Sequence, residues 1–167
     1  MEKLADTAKA EAKILSDMRA LVSNIRQLSA QDVSDVEYGI LLLRLIRAKA
    51  SEDLNQIQHE CLILQGLAWL LKNGFDTGIE WEWNPRQTGT ANEPDLRGSG
   101  NGTTVISAEA SASELPGGKI DTRMKETLAK LSQMPGQKFY FVRTDEMAAR
   151  ARTKVTKAHW SVKVVKV

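Results

Sequence analysis

An α/β fold is predicted by three features of the sequence. Apolar spacing changes from helical to alternating near residue 79; a glycine-rich stretch at Gly98-Ser99-Gly100-Asn101-Gly102 separates two strand-like segments; and helix-like and strand-like segments then alternate to Val167. The 167 residues suit one domain of ordinary size with a short appendage. A hydrophobic fraction of 42% and a charged fraction of 26% are those of a folding, globular chain.

Residues 3–28 contain no proline or glycine, and Leu15, Met18, Val22 and Ile25 recur at helical spacing, so the first element is an amphipathic helix. Ser34-Asp35-Val36-Glu37 has the form of a capping box, which starts a second helix near 35 that runs to about 49. Its segment from Tyr38 to Ile46 is apolar around most of the helix and needs a cover. Residues 1–50 are therefore expected to form a helical hairpin, a packing or dimerisation arm that makes a homodimer the expected assembly. The α/β domain is expected over 51–167.

Ser51-Glu52-Asp53 reads as a third helix start, with acidic residues at the positive end of the dipole. Leu54, Ile57, Cys61, Leu64, Ala68 and Leu71 form its buried stripe, and Gly74 stops it. Ile79, Trp81 and Trp83 alternate with Glu80 and Glu82 as a strand, with the tryptophans packing the sheet. A polar stretch follows over residues 84–92. A short strand at Asp95-Leu96-Arg97, the glycine-rich turn and a strand from Thr104 to about Ser113 complete a three-strand meander. Beyond Pro116-Gly117-Gly118, a helix over 119–133, a strand at 138–142, a basic helix over 145–158 and a strand over 162–167 finish the chain.

The charged N-terminus lacks the apolar run of a signal peptide, and the longest uninterrupted aliphatic run is Ile40 to Leu43, which argues against export and against membrane spanning. Cys61 is the one cysteine, which excludes an intrachain disulfide and a cysteine-rich zinc site and leads to the expectation of a cytoplasmic protein. Net charge is +2 but uneven: residues 1–118 carry 11 Lys and Arg against 17 Asp and Glu, and residues 119–167 carry 12 against 4. A basic last third can meet a polyanion at one face, and Arg143, Arg150, Arg152, Lys154 and Lys157 are the expected nucleic-acid contacts.

Alternation along the third strand puts Val105, Ser107, Glu109, Ser111 and Ser113 on one face and Ile106, Ala108, Ala110 and Ala112 on the other. Antiparallel pairing across the glycine-rich turn brings Asp95 toward Glu109. Two carboxylates converging on one face repel unless a cation or a proton lies between them, and oxygen ligands without nearby His or Cys favour Mg²⁺.

Glu93-Pro94-Asp95, the turn and Glu109-Ala110-Ser111, within this order of elements, resemble the PD-(D/E)xK (restriction-endonuclease-like) nuclease superfamily over about residues 53–167. The resemblance implies a Mg²⁺-dependent endonuclease, with Mn²⁺ as a substitute ion, that hydrolyses nucleic acid, DNA by expectation. It implies Asp95 and Glu109 as metal ligands and Glu60, in Gln58-His59-Glu60-Cys61, as the acid on the first core helix. Where the family carries a lysine, two residues after the Glu, the chain has Ser111, which can hold a water but not a positive charge. Lys119 or Lys125 on the following helix is expected to supply it.

The alternatives are a catalytically inactive protein of the same fold that binds nucleic acid or serves as an assembly subunit, and an adaptor that uses the apolar hairpin. Asp95 as a turn-flanking aspartate and Glu109 as a solvent-facing strand residue are the plain structural readings. His59-Glu60 lacks the second histidine of an HExxH pair, Gly117-Gly118-Lys119 lacks the rest of a P-loop, and Cys61 lies in an apolar stripe as a core residue.

Overall fold

The computed structural model describes residues 1–75, 78–85 and 93–167. Among them the elements are β1 (Glu2–Lys3), α1 (Thr7–Ser29), α2 (Val36–Lys72), β2 (Glu80–Trp83), β3 (Leu96–Gly100), β4 (Thr103–Ser111), α3 (Lys119–Ser132), β5 (Gln137–Val142), α4 (Asp145–Lys157) and β6 (Lys163–Lys166). From α2 onward this is the expected order of helix, three strands, helix, strand, helix and strand. The fold is mixed α/β, with one six-stranded sheet in the order β1 to β6. Strands β1 to β4 are antiparallel, whereas β4, β5 and β6 are parallel, which is why α3 and α4 are needed as crossovers. No helix among the described residues is long and apolar enough to cross a membrane.

Two helices expected over 35–49 and from 51 onward are one helix of 37 residues. Ser51-Glu52-Asp53 has the letters of a start, but the preceding Arg47-Ala48-Lys49-Ala50 consists of strong helix formers with no Gly or Pro. Lys49 also pairs with Asp53 at 3.0 Å one turn on, which ties the two halves together. The helix thus runs without a break through the boundary between residues 1–50 and 51–167. Its cap is Asp35, not Ser34: the Tyr38 N–H donates to the Asp35 carboxylate, and the Ser34 hydroxyl donates to the same group.

Strand β3 continues through Gly98 to Gly100, so the turn is shorter than the glycine run and lies at Asn101-Gly102, both with positive φ (49° and 75°). Gly98 stays in the strand because Ile79 and Trp81 pack on it, and a Cβ there would meet each at 2.9 Å. Strand β1, unanticipated, pairs its two residues with Trp83 and Glu82. Of the polar stretch over 84–92, residues 86–92 lie outside the described residues.

Apolar residues fill both sides of the sheet. Phe139, Phe141, Ile106, Ala108, Trp81, Trp83 and Val165 pack with α1 and α2, whereas Tyr140, Val142 and Val164 pack with α3 and α4. This alternation along β5 is the two-residue period of a strand covered on both faces. Helix α2 approaches the sheet most closely at Gly66, where the Phe141 ring occupies the space of a side chain. About two turns toward its N-terminus, the same helix delivers His59 to the end of the meander. The segment 38–46 is not covered as expected: within one copy of the chain Leu42 is buried, but Ile40, Leu41, Leu43 and Leu45 are about half exposed or more.

Candidate functional site

Leu96 pairs with Ala108 across β3 and β4, so the next step of the antiparallel ladder brings Asp95 level with Glu109. Both side chains are buried, at 5% exposure each, line the same cleft and stand close enough for the charge of one to raise the pKa of the other. The expected convergence is therefore present. Burial first, and the Asp95 charge second, push the Glu109 carboxyl up to about 8, against the downward pull of Lys130. Asp95 is better supplied with donors: its Oδ2 accepts from the Ala110 N–H at 2.8 Å and lies 3.1 Å from His59 Nε2.

Lys130 completes the cluster from α3. Its Nζ lies 2.5 Å from Glu109 Oε1, an ion-pair contact off the hydrogen-bonding direction, so that Oε1 is buried without a well-directed donor. His59 has a second unmatched atom, its buried Nδ1. Burial pulls the imidazole down, but the hydrogen bond and charge of Asp95, with the charges of Glu109 and Glu60, outweigh it and raise its pKa.

Asp95, His59 and Glu109 lie on a cleft of about 440 Å³ between α2, α3 and the carboxyl end of β4. Crevices at the carboxyl ends of parallel strands are a recurrent ligand position in α/β folds. From α2 the cleft receives Gln56 and His59; from α3 it receives Arg123 and Thr127. Ser111 is a lining residue near Tyr140, whose hydroxyl is held up to about 12 chiefly by burial, against a downward pull from Ser111. Ser111 is thus polar but supplies no charge.

Lys119 and Lys125 are exposed and do not line the cleft. Arg123, Thr127 and Lys130 recur at i, i+4 and i+7 on the helix flank that faces the site, whereas Lys125 is about 200° around the axis from Arg123. The cation in contact with Glu109 is Lys130; helix phase excludes Lys125 but leaves both Lys119, four residues before Arg123, and Lys130 on this flank. Glu60 is not part of the cleft lining either. Fully buried at 0% exposure, it accepts from Lys13 at 2.7 Å and from Gln56 at 3.1 Å, so α1 takes one of its oxygens and the preceding turn of α2 the other. Its neighbour His59, about 100° around the same helix, is the α2 side chain in contact with Asp95.

Comparison of the chain with protein-family models, with curated proteins and with solved structures gave no match.

Among the described residues no three His, Cys, Asp or Glu side chains converge closely enough to hold a metal ion by themselves. The expected absence of a nearby histidine does not hold, because α2 brings His59 Nε2 to 3.1 Å from Asp95; two carboxylates and an open polar cleft nevertheless fit the habit of Mg²⁺, which takes one or two carboxylates and completes its shell with water and phosphate oxygens.

The expected nucleic-acid residues are differently placed. Arg150 and Lys154 both bind Asp121, at 2.7 and 3.0 Å, clamping α4 to the first turn of α3 and holding the Asp121 carboxyl well below its usual range. Arg152 reaches the Val164 carbonyl. Among the described residues Arg143 and Lys157 have no ion-pair partner, and Arg143 stands beside Cys61 on the α1/α2 side of the sheet.

Proposed function

We propose that the chain is a Mg²⁺-dependent nuclease of the PD-(D/E)xK (restriction-endonuclease-like) type that hydrolyses phosphodiesters of nucleic acid, DNA in the first instance, with Mn²⁺ as an alternative ion. The observation that carries this reading is the buried Asp95–Glu109 pair with the Lys130 ammonium against it, open to a cleft. Asp95 and Glu109 would hold the ion. When bound, it supplies Lewis acidity and a water of lowered pKa.

The remaining tasks fall to the chain itself. Lys130 is not a lining residue of the cleft but stands against Glu109, from where it would offset negative charge that develops on the phosphoryl oxygens. His59 fixes the orientation of Asp95 through Oδ2, as does the Ala110 N–H. Arg123 and Thr127 line the route to the carboxylates and suit contacts with the phosphates on either side of the scissile one. Clamping by Asp121 gives Arg150 and Lys154 a structural duty and leaves Arg123, Arg143 and Lys157 as the readier phosphate contacts.

The test is cleavage of supercoiled plasmid, single-stranded DNA and RNA with Mg²⁺ or Mn²⁺ by the wild type, Glu109→Gln and Lys130→Ala. Metal-dependent cleavage that each substitution lowers by about 100-fold or more is the expected result. Cleavage unchanged in both, or no cleavage of any of these by the wild type, would overturn it. A second reading, a nucleic-acid-binding protein without activity, draws on the same Lys130 contact, because an ammonium seated on Glu109 can serve as a permanent internal cation. It expects salt-dependent binding that neither substitution weakens.

A further inference from the structure

Among the described residues, ten of the eleven exposed large hydrophobic side chains lie between Leu15 and Leu54, on α1, α2 and the connection between them; Leu115 is the other. Met18, Val22 and Leu54 line a separate hollow beside Cys61, whereas Val33, Val36, Ile40, Leu41, Leu43 and Leu45 cluster at the start of α2. At on the order of 100 Å² each, these six approach the ~800 Å² that each partner buries in a standard interface and reach the top of the ~300–600 Å² of the largest patch on an ordinary monomer. We infer that a second copy of this chain covers this face, the two α2 helices crossing antiparallel about a two-fold axis near Ile40 and Leu41.

Three observations select a second copy over other occupants. Ile40 and Leu43 lie on one line of α2, and Leu41 and Leu45 on another, so the apolar surface wraps around the helix. A flat partner surface covers one line, whereas a helical hairpin packed as in a four-helix bundle covers both. Charge is self-complementary as well. Asp35 and Glu37 open α2 and Arg44 and Arg47 follow, so an axis between Ile40 and Leu41 sets Glu37 of each copy opposite Arg44 of the other. A parallel pairing would set like charges together.

The third observation is the groove itself. Asp35, Glu37, Tyr38, Ile40, Leu41 and Arg44 line a hollow of about 470 Å³ on α2, the acid, apolar and basic groups that this pairing joins. Its mixed charge suits neither a polyanionic nucleic acid nor an anionic lipid surface. The pairing makes no use of the Asp95–Glu109 cleft and stands apart from the nuclease reading.

The experiment is light scattering on the eluting full chain across a wide concentration range. A dimer is expected, reduced to a monomer with unchanged far-ultraviolet circular dichroism by Ile40→Glu together with Leu43→Glu. Glu37→Arg and Arg44→Glu are each expected to weaken dimerisation by about tenfold or more, and the two together to restore it. A monomer at every concentration, which would assign the face to a different partner, overturns the proposal. So does a dimer that persists in the Ile40/Leu43 variant. Should that variant not fold, failure of the charge swap to restore dimerisation overturns the proposal on its own.

Discussion

Lys130 reaches Glu109 from a helix that begins eight residues after β4 ends, so the positive charge of the site is separated in sequence from the acid that it serves. The spacing permits a sharp comparison among the three lysines of α3. Lys130→Ala is expected to reduce cleavage about 100-fold, while Lys119→Ala and Lys125→Ala stay within about twofold of wild type. Single-turnover rates on one DNA substrate measure this, and equal losses from all three would refute the assignment.

Glu109→Gln separates chemistry from folding. The substitution keeps the shape of the side chain and removes a buried charge whose ionisation the site resists, so the folded state is expected to lose little stability or gain some near pH 8 while cleavage falls by about 100-fold or more. Thermal unfolding and cleavage measured on the same preparation test both halves. A variant that unfolds more readily than Asp95→Ala would contradict the first half, because Asp95→Ala also strands the Ala110 N–H and His59.

Much of the fold and the core of the site were legible in the sequence. Alternation in β4 and the glycine-rich turn brought Asp95 near Glu109, but the exact opposition depends on a register shift between Gly98 and Ser99, because the turn pairs Gly100–Thr103 and Ser99–Thr104 continued unshifted would set Asp95 against Ala108. Lys130 was not found because its charge is contributed across a crossover, which strand spacing does not govern. Glu60 and His59 are adjacent on one helix, and only the position of α1, with Lys13 on it, decides which of the two turns toward the sheet end. The long α2 was divided at Ser51 because cap preferences are local, whereas continuation depends on the whole run of helix formers around them.

Lys13 is expected to matter for stability, not for cleavage. Glu60 is fully buried and Lys13 is its one charged partner, so Lys13→Ala leaves a carboxylate in the core with only Gln56 to donate. Since Lys13 is itself partly exposed, the expected loss is about 1–3 kcal/mol, below the upper range for broken buried pairs. Urea denaturation measures it. Adding Glu60→Gln to Lys13→Ala should recover part of the loss, and full additivity of the two substitutions would show that the contact carries no coupling.

Gly66→Ala is expected to destabilise the fold by about 1–3 kcal/mol through overpacking, because the new methyl would stand 2.5–2.8 Å from three atoms of the Phe141 ring. Phe141→Leu in the same chain should relieve part of the cost. Denaturant midpoints for the two single variants and the double variant test this, and a neutral Gly66→Ala would mean that α2 is held less closely to the sheet.

The raised Glu109 carboxyl sets the direction of the pH dependence. Its value in the unfolded chain is the ordinary 4.5 and in the folded chain about 8, so the folded chain keeps a proton that the unfolded chain has already released. Stability from this group is therefore complete below about pH 4.5, declines as pH rises, and is lost once pH passes about 8. Cation binding has the opposite sense, since an ion that takes the carboxylate expels the proton. Apparent Mn²⁺ affinity should rise about tenfold per pH unit from pH 6 to about 8 and then level, with the slope absent in Glu109→Gln. Titration calorimetry in buffers of different ionisation enthalpy counts the released proton directly. Affinity that is flat between pH 6 and 8 would mean that the ion does not take Glu109.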